Sequence, residues 1–443
     1  MKSQPMDNLV YLEYAVAGII RYWLINSDYK QTIGDRVEIS TSLNSWRKVT
    51  EGAYLYSEGI NPYVGDNFHE TPLGLIVFNK LISHIPQWIG IIFIVCDLVT
   101  AHVLYRTAQT FMSELFSRQM RKKEKYAKGT ETLLLKQSDL VLPPVYVASA
   151  YLFNPYIIFS CVGQTTTVFA NLCLAFTFLL MIKGQRIACC SVLALATLQS
   201  LYPATLLVPA SIYLARAESS SSLEDKQSLR ASSCILTVVT FISALLLLLY
   251  ISSELTGGWE FLHATYGFIL NVPDLRPNVG LFWYFFTEMF ENFRLLFICV
   301  FQINATLLYL VPLTFRLHDE PMLLAASLTA LMAVFKSYPS LGDVGFYLAL
   351  LPMWKHLFNF MQQGFVVGCS FLITSAMGPI VWHLWIYSRS ANANFYFGVT
   401  LAFATAQIFL VTDILLAYIN REFSLYHGLH HKGSGKTTKL VLE

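Results

Sequence analysis

Between Val10 and Ile419 nearly every stretch of about 16 residues or more is apolar enough to sit in hydrocarbon, and only short polar breaks separate these stretches. With no water to satisfy backbone amides there, such runs are read as helices. The pattern predicts spans near 9–26, 72–112 with a bend at Pro86, 144–160, 165–182, 187–202, 204–215, 233–253, 281–315, 321–335, 345–361, 365–386 and 395–419. The expected fold is therefore an all-α polytopic membrane protein of about twelve transmembrane helices. Residues 204–215 are too short to cross about 30 Å, and 281–315 are long enough to bend or enter twice. Pro155, Pro203, Pro209, Pro312, Pro352 and Pro379 lie within or beside spans and predict broken helices around a cavity.

Composition agrees, since 55% hydrophobic against 13% charged residues leaves too few polar side chains to coat 443 residues in water. A net charge of +2 gives no reason to expect a nucleic-acid partner. Position along the chain makes the bases informative. With a cytosolic N-terminus, eighteen of the 30 basic residues fall in cytosolic segments and seven on the opposite side, which predicts cytosolic termini by the positive-inside rule. The whole of 1–443 reads as one transmembrane domain, with polar content concentrated in a first non-cytosolic loop, 27–71, a basic cytosolic loop, 113–142, and a cytosolic tail, 420–443. None is large enough for an independent catalytic domain, so a site is expected at the membrane surface or between spans.

The eight cysteines lie in or beside spans without a CxxC pair and read as packing residues rather than disulfides or metal ligands. Glu13 and Arg21 in the first apolar run argue against a cleavable signal and for a retained first helix. The tail string GSGKTT is half a phosphate-binding loop, with His430 where the pattern needs glycine. Asn304-Ala-Thr306 is a formal glycosylation sequon inside a hydrophobic span, and His427, His430 and His431 offer ligands without a supporting shell. No spacing suggests a catalytic triad, and no cofactor or metal is expected.

Six strings carry a more specific signal: 68-FHETPL-73, 153-FNPYIIFSC-161, 198-LQSLYP-203, 266-YGFILNVPDLRPNVGLFWYFFTEMFENF-293, 335-FKSYPSLGDVGFYLALLPMW-354 and 382-WHLWIYSRSANANF-395. In order, from about Arg36 to the end, they resemble the phosphatidylinositol-glycan class U family, a subunit of the GPI transamidase. The resemblance implies a non-catalytic endoplasmic-reticulum membrane subunit that helps bind the GPI lipid. It also implies partnership with a caspase-like subunit carrying the cysteine nucleophile and with further membrane and lumenal accessory subunits. The family is similar to multi-spanning, GT-C-like glycosyltransferases that use dolichol-phosphate mannose and carry closely spaced acids in their first lumenal loop. Here that loop has Asp35 and Glu38 but no DxD or adjacent acidic pair. A mannosyltransferase using Asp35, Glu38 or Glu70 as base is the alternative reading.

Candidate GPI contacts follow from this resemblance and from side-chain chemistry. Asn392 and Asn394 supply uncharged amides suited to phosphate and sugar hydroxyls, or else turn chemistry. His69 and Glu70 before Thr71-Pro72 suit a phosphate-linked ethanolamine, or else a helix cap. The segment Asn271 to Asn278, with Asp274 and Arg276 between Pro273 and Pro277, forms a polar lip whose Asp274 and Asn278 are candidates, followed by the aromatic run Phe282 to Phe286. In that run Trp283 and Phe286 are candidates for acyl contact, or for an interfacial belt. Glu288, Glu291 and Arg294, three residues apart, are expected on one helical face as an internal Glu–Arg pair, and Asp97, Asp343 and Asp413 are expected to serve structure. On the cytosolic side Arg216 and Lys226 are candidates for anionic membrane lipid.

Overall fold

The computed structural model describes residues 4–221, 231–433 and 436–439. Helices α1 (Gln4–Ile25), α2 (Tyr29–Gly34), α3 (Trp46–Ser57), α4 (Pro72–His84) and α5 (Ile89–Lys122) come first. The expected bent span 72–112 is thus two helices. Pro86 has no amide hydrogen for the preceding turn, and a short 3-10 turn, Pro86–Trp88, fills the break. Helices α6 (Leu142–Leu152) and α7 (Pro155–Val162) meet at 46°. Asn154, disfavoured as helix before a proline, instead caps α7 by accepting the Tyr156 amide at 3.0 Å.

The chain continues through α8 (Thr167–Ile182), α9 (Arg186–Gln199), α10 (Leu207–Ser221) and α11 (Ala231–Thr256). After α12 (Phe268–Asn271), the stretch expected as one span over 281–315 is α13 (Phe282–Glu288), α14 (Glu291–Ile303) and α15 (Leu310–Leu317), with a π turn at Asn304–Leu308. The last helices are α16 (Pro321–Phe335), α17 (Leu341–Leu350), α18 (Gly364–Ile386) and α19 (Ala393–His427). A short antiparallel pair, β1 (His430–Gly433) with β2 (Lys436–Lys439), follows. Of the GSGKTT string, Gly433 therefore lies in β1 and Lys436 to Thr438 in β2, so Lys436 and Thr437 are on a strand and not at the start of the helix that a phosphate loop requires.

All twelve apolar stretches are helical, but length separates them. Among the described residues five helical stretches are long and apolar enough to cross a membrane: Pro86–Lys125, Ala231–Thr256, Glu291–Leu317, Gly364–Ile386 and Ala393–His427. The bent α6–α7 pair makes six, whereas α8, α9 and α16 are shorter apolar helices. Prolines and tight turns divide the apolar sequence into pieces below the length of an upright span.

The chain forms two compact units, residues 1–104 with 149–349 and residues 105–148 with 350–443. In the first, α16 is buried almost all round, as expected of a helix apolar on every side, and packs on α10. Helix α9 lies against α8 and α11. Arg21 of α1 and Asp97 of α5 form a fully buried ion pair, and Arg21 also donates to the Leu152 carbonyl at 2.9 Å. The expected Glu–Arg pairing after the aromatic run is absent among the described residues. The helix breaks at Met289–Phe290, so Glu288 and Glu291 do not share a face. Arg294 donates instead to the Val272 carbonyl at 2.8 Å and lies over the Phe286 ring.

In the second unit α18 packs along α19, and Asp413 accepts the amides of Gln362 and Gln363, both at 2.9 Å. Arg421, buried on α19, reaches Gln119 and the Leu133 carbonyl, so the helix continues past the predicted end of the last span. Helix α5 likewise extends into the segment expected as the basic loop 113–142, which continues in short 3-10 turns.

Candidate functional site

In the first unit the loop 27–71 folds over the turn between α7 and α8 and encloses a cavity of about 550 Å³. Asn44 organises the loop. Its Oδ1 accepts the Thr41 amide at 2.6 Å, its Nδ2 reaches Thr167 Oγ1 at 2.9 Å, and its carbonyl accepts the Thr166 amide at 2.9 Å. The first bond fixes the loop internally, the other two tie it to the start of α8, and Asn44 is itself buried. Helix α2 approaches α7 through glycines: a Cβ on Gly163 would meet Gly34 Cα at 3.3 Å and the Phe159 carbonyl at 3.1 Å. Trp46 anchors the start of α3 by edge contacts to Phe78 and Phe93, with centroids 5.3 and 5.1 Å apart.

Lys30, Arg47, Lys48 and Arg276 line the cavity, against the carboxylates of Asp35 and Glu51. Arg276 is already engaged, its Nε 3.7 Å from Asp274, which also accepts from Ser42 Oγ and from the Arg276 amide. Among the described residues no carboxylate lies within ion-pair distance of Lys30 or Lys48. Burial lowers the pKa of both lysines; for Lys48 the Asp274 carboxylate opposes this and Arg276 adds to it.

The candidate residues separate in space. Asn278 lines the cavity, its Oδ1 accepting the Gly280 amide at 2.7 Å and its Nδ2 donating to the Arg276 carbonyl at 3.2 Å. Asp274 stands behind this rim. His69 is buried, stacked on Phe268 with centroids 3.5 Å apart, and its Nδ1 bonds the Ala264 carbonyl at 2.8 Å. Burial drives its pKa down to about 4, so the ring is neutral near pH 7. Glu70 is buried beside it and pushed up to about 7 by desolvation, against the opposing Thr71 amide, which donates to Oε1 at 3.2 Å. The cap of α4 is Thr71, whose Oγ1 accepts the Gly74 amide.

Trp283 and Phe286, expected at a lipid surface, are interior instead. Phe286 packs with Phe282 and Phe301, so the aromatic run holds the lip from within. Asn392 and Asn394, in the second unit, are exposed; Asn392 caps α19, its Oδ1 accepting the Asn394 and Phe395 amides at 3.1 and 3.3 Å. Arg216 is bound to Asp319 at 3.1 Å, and Lys226 lies outside the described residues.

Sequence reasoning missed Lys30, Thr41, Lys48 and Gln164 as cavity residues. Gln164 left only a faint signal, a polar residue after Gly163 between two apolar runs. Among the described residues no cluster of three His, Cys, Asp or Glu side chains is arranged to hold a metal ion.

The comparisons bear on this arrangement as a whole. The family described as GPI transamidase subunit PIG-U matches residues 15–403. The human protein named GPI-anchor transamidase component PIGU is 40% identical over 433 residues, 97% of this chain and 98% of that protein. GPI transamidase component GAB1 of Saccharomyces cerevisiae is 28% identical over 397 residues, 89% of this chain and 90% of that protein. A GAB1 homologue from Schizosaccharomyces pombe is 27% identical over 418 residues, covering 94% and 95% of the two chains. The family match runs from α1 into α19, and the chain belongs to the GPI transamidase subunit PIG-U family.

Proposed function

We propose that this chain acts as a non-catalytic membrane subunit of the GPI transamidase, helping to bind and position the GPI lipid while another subunit supplies the cysteine nucleophile. The observation that carries the reading is family membership over nearly the whole length, joined to a polar cavity where the loop 27–71 meets the lip at Asn278. Asn278 with Asp274 on the lip, and Asn392 with Asn394 at the start of α19, are the proposed headgroup contacts. His69, Glu70, Trp283 and Phe286 are buried and act by holding those surfaces in place. The complex resides in the endoplasmic-reticulum membrane with both chain termini cytosolic. The short helices α8, α9 and α16 complete a broken-helix scaffold of about twelve crossings similar to the multi-spanning sugar transferases.

The mannosyltransferase alternative needs a free carboxylate base. Glu38 is held by Arg36 at 2.8 Å, and Glu70 is buried, so of these three acids only Asp35 lines the cavity. The test uses the assembled complex carrying Asn278→Ala, or Asn392→Ala with Asn394→Ala, assayed for GPI attachment to a precursor protein. Reduced attachment with normal assembly is expected. Undiminished attachment in both variants removes the proposed headgroup contacts, and mannosyl transfer by the isolated chain overturns the non-catalytic role.

A further inference from the structure

Asn304 is the middle residue of the 27-residue span Glu291–Leu317, so about 20 Å of helix separates its amide from either end. Gln302, Thr306 and Thr314 of the same span are bonded within the chain. Gln302 donates to the Ile269 carbonyl at 2.9 Å and accepts from the Tyr202 hydroxyl at 3.0 Å, while Thr306 and Thr314 donate to the Gln302 and Leu310 carbonyls at 2.7 and 2.6 Å. Asn304 differs. Its carboxamide makes no hydrogen bond among the described residues, and its side chain is partly exposed. Of the residues three and four positions away, Val300, Leu307 and Leu308 are exposed and only Phe301 packs inward, against Phe282. The lone amide therefore borders an outward, apolar face.

The backbone changes at the same residue. Asn304 opens the π turn that separates α14 from α15, and such turns inside helices are uncommon and concentrate at functional positions. Hydrocarbon offers a carboxamide nothing to bond, and asparagine is too short to reach the interface from that depth as a lysine or arginine would. A neighbouring helix does offer a partner, because Asn, Gln, Ser and Thr side chains bond across helix pairs in membranes. Charge at the ends of the span says which kind of helix fits. Glu288 and Glu291 are exposed at one end and Arg316 at the other, none with an opposite charge at ion-pair distance among the described residues. Two copies of one chain share an orientation in the membrane, so a self-pair about this face would set carboxylates against carboxylates and Arg316 against Arg316. A different chain with bases near the Glu291 end has no such conflict.

We propose that α14, the π turn and α15 form the docking face for a membrane-spanning helix of another subunit, which bonds the Asn304 carboxamide through a polar side chain of its own near the bilayer midplane and carries basic residues toward Glu288 and Glu291. The proposal rests on the chain's place in a multi-subunit complex and on none of the lipid contacts suggested above. It also gives the Asn304-Ala-Thr306 string a use other than glycosylation: the asparagine is a hydrogen-bonding group for helix pairing.

The test uses the purified full complex with the photoreactive residue benzoylphenylalanine in place of Leu308, and maps its crosslinks by mass spectrometry. A crosslink to an apolar segment of a different subunit is expected. Asn304→Leu should weaken retention of that subunit in detergent about three- to twentyfold, the range for hydrogen bonds between membrane helices, and Asn304→Gln should restore part of it. Glu288→Lys with Glu291→Lys should weaken the same contact. The full-length chain purified alone should melt no lower with Asn304→Leu, because the amide has no partner inside it; a lower melting temperature would assign Asn304 to internal packing and overturn the proposal. Crosslinks only to lipid, crosslinks to a second copy of this chain, or retention that Asn304→Leu leaves unchanged would each overturn it too. Asn278→Ala and the Asn392→Ala, Asn394→Ala pair should leave the crosslink intact, so failure of the lipid reading is a separate result. A chain that purifies without other subunits would overturn the proposed complex as well, unlike an intact complex that merely lacks the crosslink.

Discussion

Arg21 Nε lies 2.6 Å from Asp97 Oδ2, with both side chains wholly buried. Tyr151 donates to the other Asp97 oxygen at 2.9 Å, so three helices converge on one carboxylate. Removing one partner strands the other in a low-dielectric interior. Asp97→Ala should therefore destabilise the protein by about 3–5 kcal/mol, whereas the double variant Arg21→Met with Asp97→Leu should lose far less. Thermal unfolding of the purified variants decides this, and equal losses in both would mean that shape rather than charge pairing matters there.

Glu70 predicts a pH dependence. Its folded pKa of about 7 lies above the ordinary 4.5, so between these values the folded state holds the proton more tightly than the unfolded chain. Stability should be greatest, as far as this group is concerned, below about pH 4.5 and fall as pH rises through 7. Glu70→Gln should flatten that decline and raise the melting temperature above pH 7. Melting curves of the two proteins across this range that stay parallel would refute it.

The cap at Asn392 can be separated from ligand contact by choice of substitute. Asn392→Ala should cost about 1 kcal/mol and speed hydrogen exchange at the Asn394 and Phe395 amides, while Asn392→Ser keeps the cap without the amide. If GPI attachment falls equally in both variants, the amide itself contacts the ligand. Recovery with serine assigns the residue to the helix end.

Gly52 sits on α3 against Phe68, where an added Cβ would lie 2.1 Å from the ring. Gly52→Ala should cost about 1–3 kcal/mol through displacement of that ring, which is buried against Tyr63 and Phe261. Pairing it with Phe68→Leu should return part of the loss. A Gly52→Ala protein as stable as wild type would show that the ring moves freely.

Much of the fold was legible because hydrocarbon leaves a long-wavelength mark on a sequence. The apolar runs located the helices of the predicted spans but not α3 in the loop 27–71, and Pro86, Pro155 and the polar interruptions located the breaks. The site was less legible. Asn278 was singled out by its place between Pro277 and the aromatic run, and it does line the cavity. Trp283 and Phe286 looked like an interface because aromatic residues suit both an interface and a core, and composition does not distinguish the two.

Taken alone, the chain determined its helical, membrane-embedded character, its family, and the positions where helices must stop, because these depend on local hydrophobicity, missing amide hydrogens and ordered strings. Only the tertiary structure paired Arg21 with Asp97, turned Arg294 to a backbone carbonyl rather than a glutamate, and brought Lys30, Lys48 and Gln164 to one wall. Those relations join residues far apart in the chain, and no local period or spacing encodes which distant partner a buried charge will meet.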